Sequence, residues 1–175
     1  PKRIAIIGGG AIGCEFASTF ADLGSTVTII EGAPKILPGL DPDVANVVVK
    51  TFAKKQITIR TGAVVAGQSK QPDGSTQITF TNGDPVVCDV VIMSIGRRPF
   101  ADELGLKGTA VKVDDRGFVV VDNLCQTGEP NVYAIGDLIN TPQLAHVAYA
   151  EAILAVKHMR GETAMPVMYD RVPWA

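Results

Sequence analysis

The sequence has few cysteines and few aromatic residues, and it contains no long hydrophobic run. Of its 175 residues, three are cysteines, and aromatic residues make up 6%. Cys14, Cys88 and Cys125 are far apart and form no CxxC or CxxxxC pair, which argues against a redox couple or a thiolate metal site made within this chain. We interpret them as small apolar residues of a protein in a reducing compartment, the cytoplasm or an organelle matrix.

Neither sign of charge is in excess. Sixteen basic and eighteen acidic residues give a formal net charge of -2, so nothing in the overall charge favours nucleic acid or an anionic membrane as a partner. No run approaches the roughly eighteen apolar residues that a membrane span needs. His146 has no carboxylate or cysteine at metal-ligand spacing, and His158 is interpreted as a surface residue that complements the dipole of a helix end. No metal site is predicted. A small-molecule partner is the favoured alternative.

The first thirty residues predict a strand, a helix and a second strand. Residues 4–7 form a short apolar run, typical of a parallel strand buried on both faces. Residues 11–23 predict an amphipathic helix and residues 26–30 a second strand, which together form a βαβ unit with a right-handed crossover. The apolar positions of the helix recur at helical spacing: Ile12, Phe16, Phe20 and Leu23.

The following residues continue the α/β pattern. Asp41 followed by Pro42 predicts the start of a second helix, with Val44, Val47, Val48 and Phe52 along it. Residues 57–60 predict a third strand. Residues 64–87 contain short apolar segments broken by turn signals, which indicate an antiparallel meander inserted as a crossover. Residues 90–94 predict a return to the parallel sheet.

The residues after Pro99 carry weaker signals. Residues 118–121 and 132–135 are predicted as strands, and residues 143–160 as a helix. This part is too short for a second complete domain.

One glycine motif joins the first strand to the first helix. Residues 8–13, GGGAIG, fit the pattern GxGxxG. Gly8 permits a tight turn, Gly10 lets the backbone approach a pyrophosphate, and Gly13 allows close packing of helix on strand. Because the helix N-terminus offers free N–H groups and the positive end of a dipole, the phosphates need no basic side chain. The motif predicts a Rossmann-like, dinucleotide-binding, doubly wound parallel sheet.

An acidic residue ends the second predicted strand. Glu31 lies eighteen positions after Gly13, where a carboxylate can accept hydrogen bonds from both ribose hydroxyls of the adenosine. The same charge repels a 2′-phosphate, and no arginine follows in the loop, where Lys35 is the nearby cation. NAD is therefore predicted in preference to NADP. The alternative is a glycine-rich turn beside a solvated glutamate.

Four segments together resemble a known family. They are PKRIAIIGGGAIGCEFASTFADLGSTVTIIE, VVIMSIGRRPF, VYAIGD and LAH. In order and spacing they resemble the flavoprotein disulfide reductases, the pyridine nucleotide-disulfide oxidoreductase family, and within it most closely the dihydrolipoamide dehydrogenase branch. The resemblance covers nearly the whole chain.

The resemblance implies a division of the chain. Residues 1–98 would form the NAD-binding domain, 99–160 an incomplete C-terminal segment of the FAD-binding domain, and 161–175 the truncated start of the dimerisation domain. It also implies a central excerpt that lacks the other FAD-binding motif, the CxxxxC disulfide and the catalytic His-Glu pair. No catalytic residue is therefore assigned in this chain, and we expect the chain to be inactive by itself.

The resemblance implies cofactor-binding residues for NAD and for FAD. For NAD these are Gly8, Gly10, Ala11, Ile12 and Gly13 at the pyrophosphate, Glu31 at the ribose, Glu15 near the nicotinamide, Val65 at the adenine, and Gly96 beside the nucleotide. For FAD they are Asp137 at the ribityl chain and the backbone of Gln143, Leu144, Ala145 and His146 near the ring. The family usually has methionine where this chain has Gln143.

The implied activity is oxidation of dihydrolipoyl groups, with a hydride passed from FAD to NAD. The implied partners are the lipoyl domain of a 2-oxo acid dehydrogenase or glycine cleavage complex, and a second subunit in a homodimer. Two alternatives stay open. One is another flavoprotein disulfide reductase, of the mercuric reductase or soluble transhydrogenase type, and the other is a non-catalytic NAD-binding module.

Overall fold

The computed structural model describes residues 1–173, so Trp174 and Ala175, at the end of the predicted dimerisation segment, lie outside the described residues. The chain divides into two compact units, Pro1–Gly96 and Arg97–Ala175. This boundary is two residues before the one expected from the sequence. The assignment of the units to NAD and FAD domains stays a prediction.

The first unit combines a parallel sheet, two helices and an antiparallel meander. Its elements are β1 (Arg3–Ile7), α1 (Ala11–Asp22), β2 (Thr26–Ile30), α2 (Pro42–Lys54), β3 (Thr58–Arg60), β4 (Val65–Lys70), β5 (Thr76–Phe80), β6 (Val86–Cys88) and β7 (Val90–Met93). The parallel sheet has the order β3-β2-β1-β7, and the antiparallel sheet has the order β4-β5-β6. The predicted Rossmann-like fold with an antiparallel crossover is confirmed.

The parallel sheet is buried on both faces. Ile4 and Ile6 of β1 pack in one apolar cluster with residues of α1 and α2. Ala5, which alternates with them along the strand, packs in a second cluster with Ile78 and Cys88 of the meander. Because successive side chains of a strand point to opposite faces, helices cover one face and the meander covers the other. The prediction of a strand buried on both sides is confirmed.

The apolar stripe predicted for α1 is wrong in part. Phe16 is 42% exposed and Leu23, which caps the helix, is 74% exposed. The buried positions of α1 are Gly13, Cys14 and Ala17. Small side chains face the sheet where the helix lies close to β1, and of the predicted stripe Phe20 packs against the core while Phe16 and Leu23 are exposed.

The second helix begins where the sequence predicts. The Asp41 carboxylate accepts a hydrogen bond from the Asp43 N–H at 2.8 Å, and Pro42 occupies the first turn. The predicted positions Val44 and Val47 are nevertheless exposed. Phe52 is buried in the apolar cluster between the parallel sheet and the two helices, which we call the helix-side core. A run of valines on neighbouring turns gives no unique buried face, so tertiary packing decides it.

An acidic residue joins the starts of two parallel strands. Asp89, just before β7, accepts hydrogen bonds from the backbone N–H groups of Lys2 and Arg3 at 3.0 and 2.8 Å. Its other oxygen forms an ion pair with the Arg3 guanidinium at 2.6 Å. The hydrogen bonds from the Arg3 side chain and backbone lower the pKa of Asp89 to about 2.

Acid is therefore expected to weaken the first unit through Asp89. Because the pKa is depressed on folding from an ordinary 3.8, this contribution is complete above about pH 4 and is lost as the pH falls through about 2. Asp89→Asn should lower the thermal midpoint at neutral pH and flatten its decline between these values, as followed by circular dichroism. Asp84→Asn, an exposed acid of the same unit, is the control and should keep the native profile. An unchanged profile in Asp89→Asn would contradict the assignment.

The second unit contains one α-helix and little regular β-structure among its described residues. Its helix is α3 (Ala145–Met159), and two 3₁₀ helices span Gly136–Leu138 and Tyr169–Arg171. The strands predicted at 118–121 and 132–135 are wrong, because the chain forms isolated bridges there, Val113 with Val119 and Gln126 with Tyr133. Each segment pairs with another part of the chain at a single residue, and one bridge does not make a strand ladder.

Among residues 1–173, no helix is both long and apolar enough to cross a membrane.

Candidate functional site

The glycine turn lies at the carboxyl end of β1, where the topology changes direction. From β1 the chain passes through α1 to β2 on one side, while β7 lies on the other side of β1. In open α/β sheets, ligands bind at such a switch point. Gly8 begins the turn with φ +109°, a conformation that favours glycine.

Packing within the chain explains two of the three motif glycines. A Cβ at Gly8 would collide with the carbonyl oxygen of Ser94, and a Cβ at Gly13 would collide with that of Gly8. At Gly10 a Cβ would meet nothing within 4 Å. Gly10 thus borders open space, and the approach of a ligand is the reason that remains for a glycine there.

No capping side chain accepts hydrogen bonds from the first N–H groups of α1. Gly10 is the N-cap and forms no side-chain cap hydrogen bond, and no acidic residue lies in the first turn. The amides at the beginning of a helix have no partner inside the helix. The N–H groups of Ala11, Ile12 and Gly13, with the positive end of the helix dipole, therefore suit a phosphate group.

The carboxylate of Glu31 is fixed beside this turn. Its Oε2 accepts a hydrogen bond from the Gly9 N–H at 2.6 Å, and its Oε1 accepts one from the Ala33 N–H at 2.7 Å. A carboxylate has about four lone-pair sites, so each oxygen can accept one more hydrogen bond. The arrangement suits a pair of neighbouring hydroxyl groups and disfavours a phosphate.

The loop after Glu31 contributes to the turn in a way that the sequence analysis missed. Ile36 and Leu37 are buried in the helix-side core. The Leu37 N–H donates to the carbonyl oxygen of Gly9 at 2.7 Å, and its backbone is left-handed with φ +51°. Two adjacent apolar residues inside a loop rich in proline and glycine were the available signal. They hold the loop against the glycine turn.

The other residues predicted for NAD are placed separately. Glu15 is exposed on α1, and Val65 begins β4, half-buried opposite Phe80. Gly96 follows β7 with φ +124°, and a Cβ there would meet nothing within 4 Å. The structure brings none of these three into contact with Glu31 through a hydrogen bond, and their roles stay predictions.

In the second unit, Asp137 is carried by a tight turn. It lies in the 3₁₀ helix that begins at Gly136, which has φ +66°. Its Oδ2 forms an ion pair with Arg97 Nη1 at 2.5 Å, and both side chains are half-exposed. The other carboxylate oxygen, Oδ1, forms no hydrogen bond within the described residues, so Asp137 keeps an acceptor for a hydroxyl group.

The start of α3 carries an unpartnered polar group. Leu144 is the N-cap without a side-chain cap hydrogen bond, and Ala145 and His146 form the first turn, which has no acid. The Gln143 Nε2 atom, just before it, is buried and has no hydrogen-bond partner. A buried donor without a partner costs about 1–3 kcal/mol, so this amide suits a bound group that offers an acceptor.

Sequence analysis also missed a buried acid on α3. Glu151 is 0% exposed, and it accepts hydrogen bonds from the Gly136 N–H, Thr141 and Tyr169. An acidic residue between apolar neighbours of a helix that packs on a core was the available signal.

Comparison with known families identifies the chain. A sequence profile described as "Pyridine nucleotide-disulphide oxidoreductase" matches residues 1–152. The chain belongs to this family.

Similar proteins of the pyridine nucleotide-disulphide oxidoreductase family include enzymes named for dihydrolipoyl groups. The dihydrolipoyl dehydrogenase of Bacillus subtilis is 40% identical over an alignment of 167 residues that covers 94% of this chain and 36% of that protein. The chain thus spans little more than a third of the length of this relative.

Solved structures show the same fold. The copper(II) complex of RclA, a flavoprotein disulfide reductase of Escherichia coli that is induced by hypochlorous acid, has a TM-score of 0.89 at 29% identity. The match covers 98% of this chain and 38% of the RclA chain. An engineered water-forming NADPH oxidase bound to NADPH, described as a mutant of LbNOX, has a TM-score of 0.82 at 25% identity, covering 93% and 38%.

The three thiols of the chain are buried and form no disulfide with one another. Cys14, Cys88 and Cys125 are all free and buried, and burial raises the pKa of Cys14 and of Cys125 to about 11. Because the thiolate is the nucleophile, the raised pKa disfavours a nucleophilic role for Cys14 and Cys125. Within the described residues, no three acidic, histidine or cysteine side chains are grouped closely enough to hold a metal ion.

Proposed function

We propose that this chain is the NAD-binding part of a dihydrolipoyl dehydrogenase, together with a segment of its FAD-binding domain. In the intact enzyme, dihydrolipoyl groups are oxidised and a hydride passes from FAD to NAD. The observation that carries the proposal is the open space at Gly10, at the uncapped start of α1, next to Gly9, whose N–H donates to the Glu31 carboxylate. The similarity of the chain's sequence to dihydrolipoyl dehydrogenases, over most of its length, supports the choice of activity.

The first unit holds the dinucleotide. The N–H groups of Ala11, Ile12 and Gly13 donate to the pyrophosphate, and Glu31 accepts hydrogen bonds from the two adenosine ribose hydroxyls. Glu15 near the nicotinamide, Val65 at the adenine and Gly96 beside the nucleotide complete the site as the family resemblance implies.

The second unit contributes to the flavin site. Asp137 accepts a hydrogen bond from the ribityl chain through its free oxygen, and Gln143, Leu144, Ala145 and His146 lie at the ring. FAD supplies the two-electron relay between thiol and nicotinamide. The unpartnered Gln143 amide and the uncapped start of α3 fit the polar edge of such a ring.

The contribution of these residues to the rate is orientation. Holding a nicotinamide in place for hydride transfer removes the entropy cost of bringing the two cofactors together. We assign no catalytic residue to this chain and propose that it does not oxidise dihydrolipoamide when it is alone. A homodimer, a lipoyl domain as the partner, and a location in the cytoplasm or an organelle matrix belong to the same proposal.

Titration calorimetry of the chain with NAD and with NADP tests the proposal. We expect NAD to bind more tightly by at least about tenfold, because a 2′-phosphate next to the Glu31 carboxylate adds repulsion of like charges and removes one hydroxyl donor. Heat-denatured chain serves as the blank. Absence of NAD binding, or tighter binding of NADP, would contradict the proposal.

A further inference from the structure

The carboxylate of Glu151 is enclosed by three donors from three separate places in the chain. Its Oε2 accepts from the Gly136 N–H at 2.6 Å, and its Oε1 accepts from the Thr141 hydroxyl at 2.8 Å and from the Tyr169 hydroxyl at 3.0 Å. The side chain is completely buried. One acid thus joins α3, the turn at Gly136, the loop after that turn and the segment that follows α3.

Within the described residues, Glu151 is held by hydrogen bonds and not by an ion pair. In the part of the chain that the structure describes, no lysine, arginine or histidine forms an ion pair with Glu151. A buried carboxylate without a cation is tolerated where hydrogen bonds satisfy its oxygens. Each of the three donors therefore contributes to keeping the group in place, and the removal of one leaves the others less well oriented.

The bond to Gly136 governs the residue after it. Gly136 is left-handed, and a Cβ there would lie 3.3 Å from the Cβ of Ala148, so the turn is packed tightly on α3. Its amide is anchored by Glu151, and Asp137 is the next residue. The backbone position of Asp137 is thereby set from inside the unit, while its half-exposed carboxylate is left for a ligand.

The bond to Tyr169 connects a distant part of the chain to the same carboxylate. Tyr169 begins the 3₁₀ helix Tyr169–Arg171, ten residues beyond the end of α3. The Tyr169 hydroxyl donates to Glu151 Oε1, and burial, together with Glu151, raises the pKa of Tyr169 above its ordinary value. The placement of this segment and that of the Gly136 turn therefore share one acceptor group.

We propose that Glu151 is a positioning residue that couples the segment of Tyr169 to the Gly136–Asp137 turn, so that docking of this segment strengthens binding of the flavin ribityl chain by Asp137. The link to the flavin rests on the proposed function. The coupling between Tyr169 and Gly136 does not.

Nuclear magnetic resonance of the 175-residue chain tests the coupling without any cofactor. The Gly136 amide proton should resonate downfield and exchange slowly in the native chain, and Glu151→Leu should abolish both properties. Glu151→Gln should largely retain them, because its amide oxygen can accept from Gly136 while its NH₂ group donates to the two hydroxyls. If Gly136 is equally protected in Glu151→Leu, the proposal is overturned.

A double-mutant cycle shows whether Tyr169 acts through Glu151. Tyr169→Phe should shift the Gly136 amide resonance in the native chain and leave it unchanged in the Glu151→Leu background. Tyr149→Phe is the matched control, because Tyr149 lies on α3, the helix that carries Glu151, but its side chain is 74% exposed. An equal shift from Tyr169→Phe in both backgrounds would refute the coupling.

FAD affinity of the intact flavoprotein that contains this chain tests the consequence. Loss of one well-placed buried contact is expected to weaken FAD about tenfold in Glu151→Leu and less in Tyr169→Phe, measured by flavin fluorescence. Glu151→Gln should restore most of the affinity. Unchanged affinity in Glu151→Leu would overturn the proposed link to the flavin, whereas failure of the native protein to bind FAD would count against the proposed function instead.

Discussion

Gly8→Ala is expected to lower the free energy of unfolding of the first unit by about 2–6 kcal/mol. Two costs add: the new Cβ collides with the carbonyl oxygen of Ser94, and φ +109° is strained for any residue with a Cβ. Overpacking costs about 1–3 kcal/mol and a disfavoured backbone region about 1–3 kcal/mol. Amide hydrogen exchange of β1 and β7 measures the loss directly, because both strands pair at this turn.

Gly10→Ala is the matched control for Gly8→Ala. Its backbone has φ -74° and a Cβ there meets nothing within 4 Å. The free energies of opening measured by hydrogen exchange in β1 should therefore stay within about 0.5 kcal/mol of native values. NAD affinity should nevertheless fall, because the methyl group occupies the space proposed for the pyrophosphate. If Gly8→Ala were as stable as the native chain, or if Gly10→Ala bound NAD as tightly, the division of roles between the two glycines would be wrong.

The glycine motif could be predicted because its physics is local. A tight turn, a backbone approach and a helix start each need a certain residue at a certain spacing, and Gly8, Gly10 and Gly13 supply them in order. The same holds for Asp41 and Pro42 at the start of α2. The buried face of α1 depends instead on how closely the helix lies on β1, and that distance is a property of the assembled unit.

Two contributors to the candidate sites depend on contacts between distant residues. Leu37 reaches the Gly9 carbonyl from a loop that begins after β2, and Glu151 joins Gly136 and Tyr169 across the second unit. No periodicity marks either residue. The predicted strands at 118–121 and 132–135 failed for a related reason, since an apolar run becomes a strand only where a neighbouring strand completes its hydrogen bonds.

Glu31→Ala is expected to reduce NAD affinity by at least about a hundredfold. The variant loses two hydrogen bonds from ribose hydroxyls to a charged acceptor, each worth about 1.5–3 kcal/mol, and about 3 kcal/mol corresponds to that factor in the dissociation constant. NADP affinity should stay level or rise, because the repulsion of the 2′-phosphate is gone. Calorimetry with both nucleotides makes the measurement, and Asp84→Asn is the control for the loss of one charge.

The loss of Glu31 must be separated from damage to the turn, since its carboxylate also holds Gly9 and Ala33. The thermal midpoint of Glu31→Ala should be compared with its binding constant, and a large fall in both would trace the effect to folding. A stable variant that binds NAD as tightly as the native chain would remove the basis for assigning the ribose to this acid.

Adding a cation beside the vacated position should reverse the preference. Glu31 lies eighteen residues after Gly13, and Gly32 follows it, with nothing within 4 Å of a Cβ there. Glu31→Ala combined with Gly32→Arg should therefore bind NADP more tightly than NAD, because the guanidinium can pair with the 2′-phosphate. Gly32→Arg alone should not, since the carboxylate of Glu31 remains beside the phosphate and competes for the same guanidinium. If the single change reversed the preference as fully as the double change, discrimination would lie in the loop and not in Glu31.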